Sequence, residues 1–173
     1  MFKKKWLWII LIILLLLLLF RFGSYLLLPS EPVALVPGLR YSAGPLSAVL
    51  RLGLPKAIEN SLSQWGAAYY KFYAELDGVP VEVDLGFADG LWLTVLSVRA
   101  EAEDSHQADV LFQSWCETLD KSYQNAEGYL NSGITETGRG KALRLEINKG
   151  ALVLSCVLML EGNTVVFYGI NLW

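Results

Sequence analysis

The sequence predicts an α+β protein: one N-terminal transmembrane helix, then a single domain with a mainly antiparallel five-stranded sheet, in the order helix-β-β-helix-β-β-β, and helices packed on one face. Three observations carry this expectation. Lys3-Lys4-Lys5 runs into fifteen unbroken apolar residues, Trp6 to Phe20. Val81 to Phe87 and Leu143 to Ile147 alternate apolar and polar side chains with the period of half-exposed strands. Between them, Asp104 to Tyr123 repeats its apolar residues at spacings of three and four, the period of a helix.

Taken in order, Trp6 to Phe20 would rise only ~22 Å as a helix, but continuing to Leu28 reaches ~34 Å, enough for a ~30 Å hydrocarbon core. Residues 1–28 are therefore expected to be a basic start and membrane anchor, contacting the bilayer through residues 6–28. Arg21 is tolerable near the far end because its stem can stay in lipid while the guanidinium reaches the headgroups. A cleavable export signal is the competing reading, and the exit argues against it. After Phe20 the chain reads Arg-Phe-Gly-Ser-Tyr-Leu, with no small-x-small pair at the end of the apolar core.

Charge sets the expected orientation. All seventeen acidic residues lie from Glu31 onward, against ten basic ones there, so the part beyond the anchor carries a net −7. Lysines just before the first span favour a cytoplasmic N-terminus, which places the domain outside the cytoplasm, in the cell envelope, as a single-pass protein of the cytoplasmic membrane. An acidic domain without a basic stripe is ill suited to a phosphate backbone, so nucleic acid is not expected as a partner.

Residues 29–45 hold Pro29, Pro32, Pro37, Gly38, Gly44 and Pro45, which favour an extended spacer. Val33 to Val36 and Leu46 to Leu54 are apolar enough to pack instead on the domain or on a bilayer surface. Residues 46–173 suffice for one domain with a substantial core. Pro55 suits a first helical turn, and Ile58, Leu62, Trp65, Tyr69, Phe72 or Tyr73, and Leu76 follow at helical spacing, so a helix is expected up to Asp77-Gly78. Val81 to Phe87 and Leu91 to Val98 then form a hairpin. Asp104 with Gln107 resembles a capping box, opening a helix that turns Ala108, Leu111, Phe112, Trp115, Leu119 and Tyr123 to one side. Leu143 to Ile147, the uncharged run Ala151 to Leu160 and Val165 to Leu172 close the domain as a three-stranded meander. The uncharged run is too short to span a membrane and reads as a strand buried on both faces.

Chemistry has few places to live. His106, the sole histidine, sits among helix-capping residues beside Asp104 and Asp109, a setting that explains it without a catalytic triad. One histidine and no clustered cysteines do not assemble a usual zinc shell, and no cofactor motif is present. Glu101, Glu103, Asp104 and Asp109 lack the ligand pattern of a calcium loop and fit a helix entrance. Cys116 and Cys156 are a candidate helix-to-sheet disulfide, or else two free thiols serving as small core residues. Among the aromatic residues 65–73, only Tyr70 falls clearly off the helical stripe. Gly128 to Gly140 is long for a connection and is expected either as a flexible loop or with a short strand through Ile134 to Thr137. Tyr70, Tyr129 and Arg139 are the candidate partner-binding residues.

Two functional classes follow. The first is a non-enzymatic, membrane-anchored envelope module that binds a protein or tunes an assembly, an immunity or inhibitor protein being one version. The second is an enzyme acting on envelope polymers. Glu82 and Asp84 are its only near pair of carboxylates, at the ~7 Å i, i+2 spacing that strands produce by default.

Overall fold

A computed structural model describes residues 10–16, 31–60, 68–88, 92–149 and 152–172. The chain divides into two compact units, Met1–Ser30 and Glu31–Trp173. In the first, residues 10–16 are helical. Seven residues rise only ~10 Å, and among the described residues no helix is long and apolar enough to cross a membrane. The expected transmembrane anchor, with its single-pass placement in the cytoplasmic membrane, is corrected accordingly. The remainder of residues 6–28 lies outside the described residues.

The second unit is built on one antiparallel sheet of eight strands rather than five. In chain order these are β1 (Ala57–Asn60), β2 (Ala68–Leu76), β3 (Val79–Ala88), β4 (Trp92–Glu101), β5 (Tyr129–Thr137), β6 (Gly140–Lys149), β7 (Leu152–Glu161) and β8 (Thr164–Leu172). Two helices accompany them, α1 (Pro45–Leu52) before β1 and α2 (Ser105–Tyr123) between β4 and β5. The spatial order β1-β2-β3-β4-β8-β7-β6-β5 makes two four-stranded meanders that meet where β4 pairs with β8, from Val95 opposite Ile170 to Glu101 opposite Thr164.

The three additional strands come from two misread segments. Residues 68–76, expected as helix, are β2. Tyr70, Phe72, Ala74 and Leu76 share a two-residue period that coexists with the helical spacing, and a run of tyrosine and phenylalanine favours the pleated surface. Asp77-Gly78 is then a hairpin turn and not a helix stop. Both residues adopt positive φ, 52° and 82°, and Leu76 pairs directly with Val79. Ile58 lies in the short edge strand β1, while Leu62 and Trp65 lie outside the described residues. Most of residues 128–140, expected either as a flexible loop or with a short strand through Ile134 to Thr137, is β5, which ends at Thr137 but begins at Tyr129, and its register shifts between Asn131 and Ile134.

One face of the sheet carries the core. Phe72, Val83, Leu85, Leu96, Val98, Leu145, Ile147, Leu158 and Phe167 are buried there. Helix α2 packs on β7 and β8, turning Ala108, Phe112, Trp115, Cys116, Leu119 and Tyr123 inward. Asp104 caps it, accepting a hydrogen bond from the Gln107 N–H at 2.8 Å.

Residues 31–43 complete the cover, which answers for this stretch where the apolar residues after Ser30 pack. Val33, Leu35, Val36, Leu39 and Tyr41 are buried in the same core. The segment folds back on itself through Val33 N–H to Leu39 C=O and Tyr41 N–H to Glu31 C=O. Tyr123 then ties it to α2, donating to Pro32 C=O at 2.8 Å and accepting from Ala34 N–H at 3.0 Å. Gly169 makes room for the fully buried Tyr41, because a Cβ there would collide with the Tyr41 hydroxyl.

Two expectations follow. Phe167→Ala should cost about 3–5 kcal/mol in denaturant unfolding, as expected for emptying a fully buried ring site. Deleting the last six residues removes most of β8, an interior strand, and should abolish the cooperative thermal transition; a retained transition would contradict the topology.

Candidate functional site

β7 and β8, in the middle of the sheet, are largely apolar on both faces, yet the described covering elements lie on one. Along β7, Leu154, Cys156, Leu158 and Leu160 are buried, while the alternate residues Val153, Ser155, Val157 and Met159 are only half-buried. The strand patterned for burial on both faces is therefore buried on one. In β8, Val165 and Phe167 face the core, whereas Tyr168 and Ile170 on the opposite face are 40 % and 42 % exposed.

Registration joins these residues into a band. Val95 sits opposite Ile170, Tyr168 opposite Val157, and Val166 opposite Met159, so the apolar surface crosses β4, β8 and β7. Cross-strand neighbours of this kind form one continuous patch, and a contiguous exposed apolar surface is the usual mark of a docking site.

Charges flank the band on both sides. On β2 and β3, Lys71 Nζ lies 2.9 Å from Glu82 and 3.9 Å from Asp84. The hydrogen bond from Lys71 holds the Glu82 carboxyl below its ordinary range, whereas burial pushes Asp84 upward. Arg99, on β4 directly opposite Val166, brings a charge into the band itself and pairs with Glu101 at 2.9 Å. On the other flank, Arg144 and Glu146 of β6 are exposed on the same face. A depression of about 280 Å³ beside Asp84 is lined by Lys71, Ser97 and Tyr168, among others.

The three residues expected to bind a partner are not brought together. Tyr70 points to the core side, its ring edge-on to Phe87 with centroids 5.3 Å apart. Tyr129 is half-buried and donates to Asp120 at 2.6 Å; burial first, and that hydrogen bond second, raise its pKa to about 12. Arg139 is exposed at the β5–β6 turn. β2 and β5 lie six strands apart in the sheet, roughly 29 Å at ordinary strand spacing.

Cys116 and Cys156 are both buried free thiols, Cys156 Sγ lying 3.9 Å from the Tyr41 hydroxyl. Burial raises them to about 11 and about 12. His106 is exposed at the entrance of α2. Among the described residues no cluster of histidine, cysteine or acidic side chains is placed to hold a metal ion.

Two further surfaces stand apart from the open face. A cleft of about 500 Å³ runs between residues 34–37, the end of α1 and α2, with Leu35, Leu76 and Trp115 in its lining. Helix α1 buries Ala48 and leaves Leu46 and Leu50 exposed, as is Leu54 beyond its end. Signals for the open face existed in the nearly unbroken apolar run of β8 and in the uncharged run of β7, but which side is covered is set by tertiary contacts.

Comparison with protein-family models, curated proteins and solved structures returns no match. The open face thus has to be interpreted from its own geometry.

Removing the amine by Lys71→Met should raise the Glu82 midpoint toward the ordinary value near 4.5, measured by carboxyl NMR titration. The sign follows from the bridge, whose contribution is present above the unfolded carboxyl pKa and lost as pH falls through the depressed folded one. An unmoved midpoint would contradict the pairing. Both cysteines should resist alkylation at pH 8 until the chain is unfolded, and reduction should leave the intact mass unchanged.

Proposed function

We propose that the Glu31–Trp173 unit is a non-enzymatic protein-binding module whose docking surface is the open face of its sheet. A single observation carries this reading: β7 and β8 are apolar on both faces and buried on one. Val157, Val166, Tyr168 and Ile170 would lose their contact with water when a partner closes the face, the usual driving force of association. The charged flanks of Lys71, Glu82 and Asp84 on one side and Arg144 on the other form a polar rim, which sets orientation more than affinity.

One observation favours an enzymatic alternative. Glu82 and Asp84 are shifted in opposite directions, as an acid and a base would be. Lys71 already occupies Glu82, however, and the adjoining depression is lined by Asp84 without Glu82.

A photo-crosslinking residue at Tyr168 in intact cells should give a discrete protein adduct, and Ile170→Asp should remove it while the melting transition persists. Glu82→Gln with Asp84→Asn should weaken that adduct by no more than roughly fivefold, since rim charges set orientation more than affinity. If the folded double variant keeps the adduct yet loses function, the enzymatic reading replaces the binding one.

A further inference from the structure

Two of the charges that flank the apolar band, Asp84 and Arg144, are placed symmetrically about its centre, so that their row is complementary to itself. One row across the open face reads Lys71, Asp84, Ser97, Tyr168, Val157, Arg144, through successive strand pairings from β2 to β6. Tyr168 stands at the middle of β8, Asp84 two strands away on one side and Arg144 two strands away on the other. At ordinary strand spacing each lies roughly 10 Å from Tyr168. In the row above it Val95 and Ser155 flank Ile170, with the uncharged Gly86 beyond on one side and Glu146 on the other.

We propose that a second copy of this chain is the partner, the two sheets stacking face to face about a twofold axis that runs along β8. This rests on the open face being the docking surface. A rotation about that axis exchanges the two flanks, so β3 of one copy faces β6 of the other and Asp84 meets Arg144 twice. Val166, Tyr168 and Ile170 on the axis meet their own counterparts, while Val157 faces Ser97, Val95 faces Ser155 and Met159 faces Arg99. A twofold axis across the strands would instead set Glu82 and Asp84 against the same pair in the partner, whereas the axis along β8 confines its like-charged pair, Glu101 with Glu161, to the ends of the strands. Closed twofold pairs are the commonest assemblies of identical chains, and sheets packed in this way lie about 10 Å apart with nearly aligned strands.

Total self-association is a poor readout for a chain that opens with fifteen apolar residues, so the test reads position in the purified full chain. A cysteine on the axis should be bridged to its own copy by a bis-maleimide spanning about 10 Å. Tyr168→Cys should therefore give a crosslinked dimer, whereas Glu117→Cys on the outer side of α2 should not; the parent chain with its buried Cys116 and Cys156 supplies the background. In the Tyr168→Cys chain, Asp84→Arg or Arg144→Asp alone should lower the dimer yield by roughly fivefold, the scale of an exposed ion pair. The two reversals together should restore it. Circular dichroism melts on each variant separate loss of pairing from loss of folding.

Self-crosslinking at Tyr168 with recovery in the double reversal supports the assembly. Crosslinking indifferent to both reversals overturns the axis. A chain that crosslinks at Tyr168 only to a different protein in cells overturns the second copy while the docking face stands. Absence of any adduct at Tyr168, in cells and purified, overturns both.

Discussion

The pairing of β4 with β8 is the constraint on which the rest of the structure depends. Each half of the domain can form by local hairpins, β1 to β4 and β5 to β8, but nothing local brings the two together. Their union sets Val95 against Ile170 and Val98 against Phe167 across more than sixty residues of chain. It joins two small sheets into one of eight strands, and it places the final strand at the centre instead of at an edge. Helix α2 is the connection that makes the pairing sterically feasible. It leaves β4 through the Asp104 cap and crosses β7 and β8 before handing the chain to β5 at the far edge.

That one crossing helix also explains why the two faces differ. A sheet of this width offers more area than one helix of nineteen residues can cover. The chain adds residues 31–43 on the same side, held by the Tyr123 hydroxyl to the backbone of Pro32 and Ala34 and by Tyr41 seated against Gly169. Among the described residues, these elements share the side occupied by the core, and the opposite face keeps its central valines, Tyr168 and Ile170 within reach of solvent. Edge protection follows a different logic. β1 is only four residues long, and β5 is broken by a register shift near Gly133, whose φ is 72°. Both devices discourage edge-to-edge pairing, which directs association to the face.

Much of the fold is legible in the sequence wherever one periodicity is unambiguous. Asp104 with its apolar stripe locates α2, and the alternation of Val81 to Phe87 and Leu143 to Ile147 locates β3 and β6. Ambiguity enters at Tyr69 to Leu76, where helical and strand periods overlap; the Asp77-Gly78 dipeptide was the better witness, being a strong hairpin signal. β5 hides because its exposed polar residues, Asn131, Ser132 and Thr135, carry no alternation. Of the site, the sequence shows two-sided apolar character in β7 but not which side stays open, because that depends on where α2 and residues 31–43 come to rest. Tyr70 stood out because it falls off the helical stripe and Tyr129 and Arg139 because they lie in a long connection, and the register scatters them.

The central claim is that the open face is a surface built to be covered. Hydroxyl-radical footprinting of Met159 and Tyr168 measures this most directly, since both side chains oxidise readily and both lie on that face. Across a dilution series of the full chain, with Tyr41 and Tyr123 as buried references, both should be protected at high concentration and become reactive together on dilution. Reactivity of Met159 and Tyr168 that stays high at every concentration, in the purified chain and in cells alike, would contradict the account.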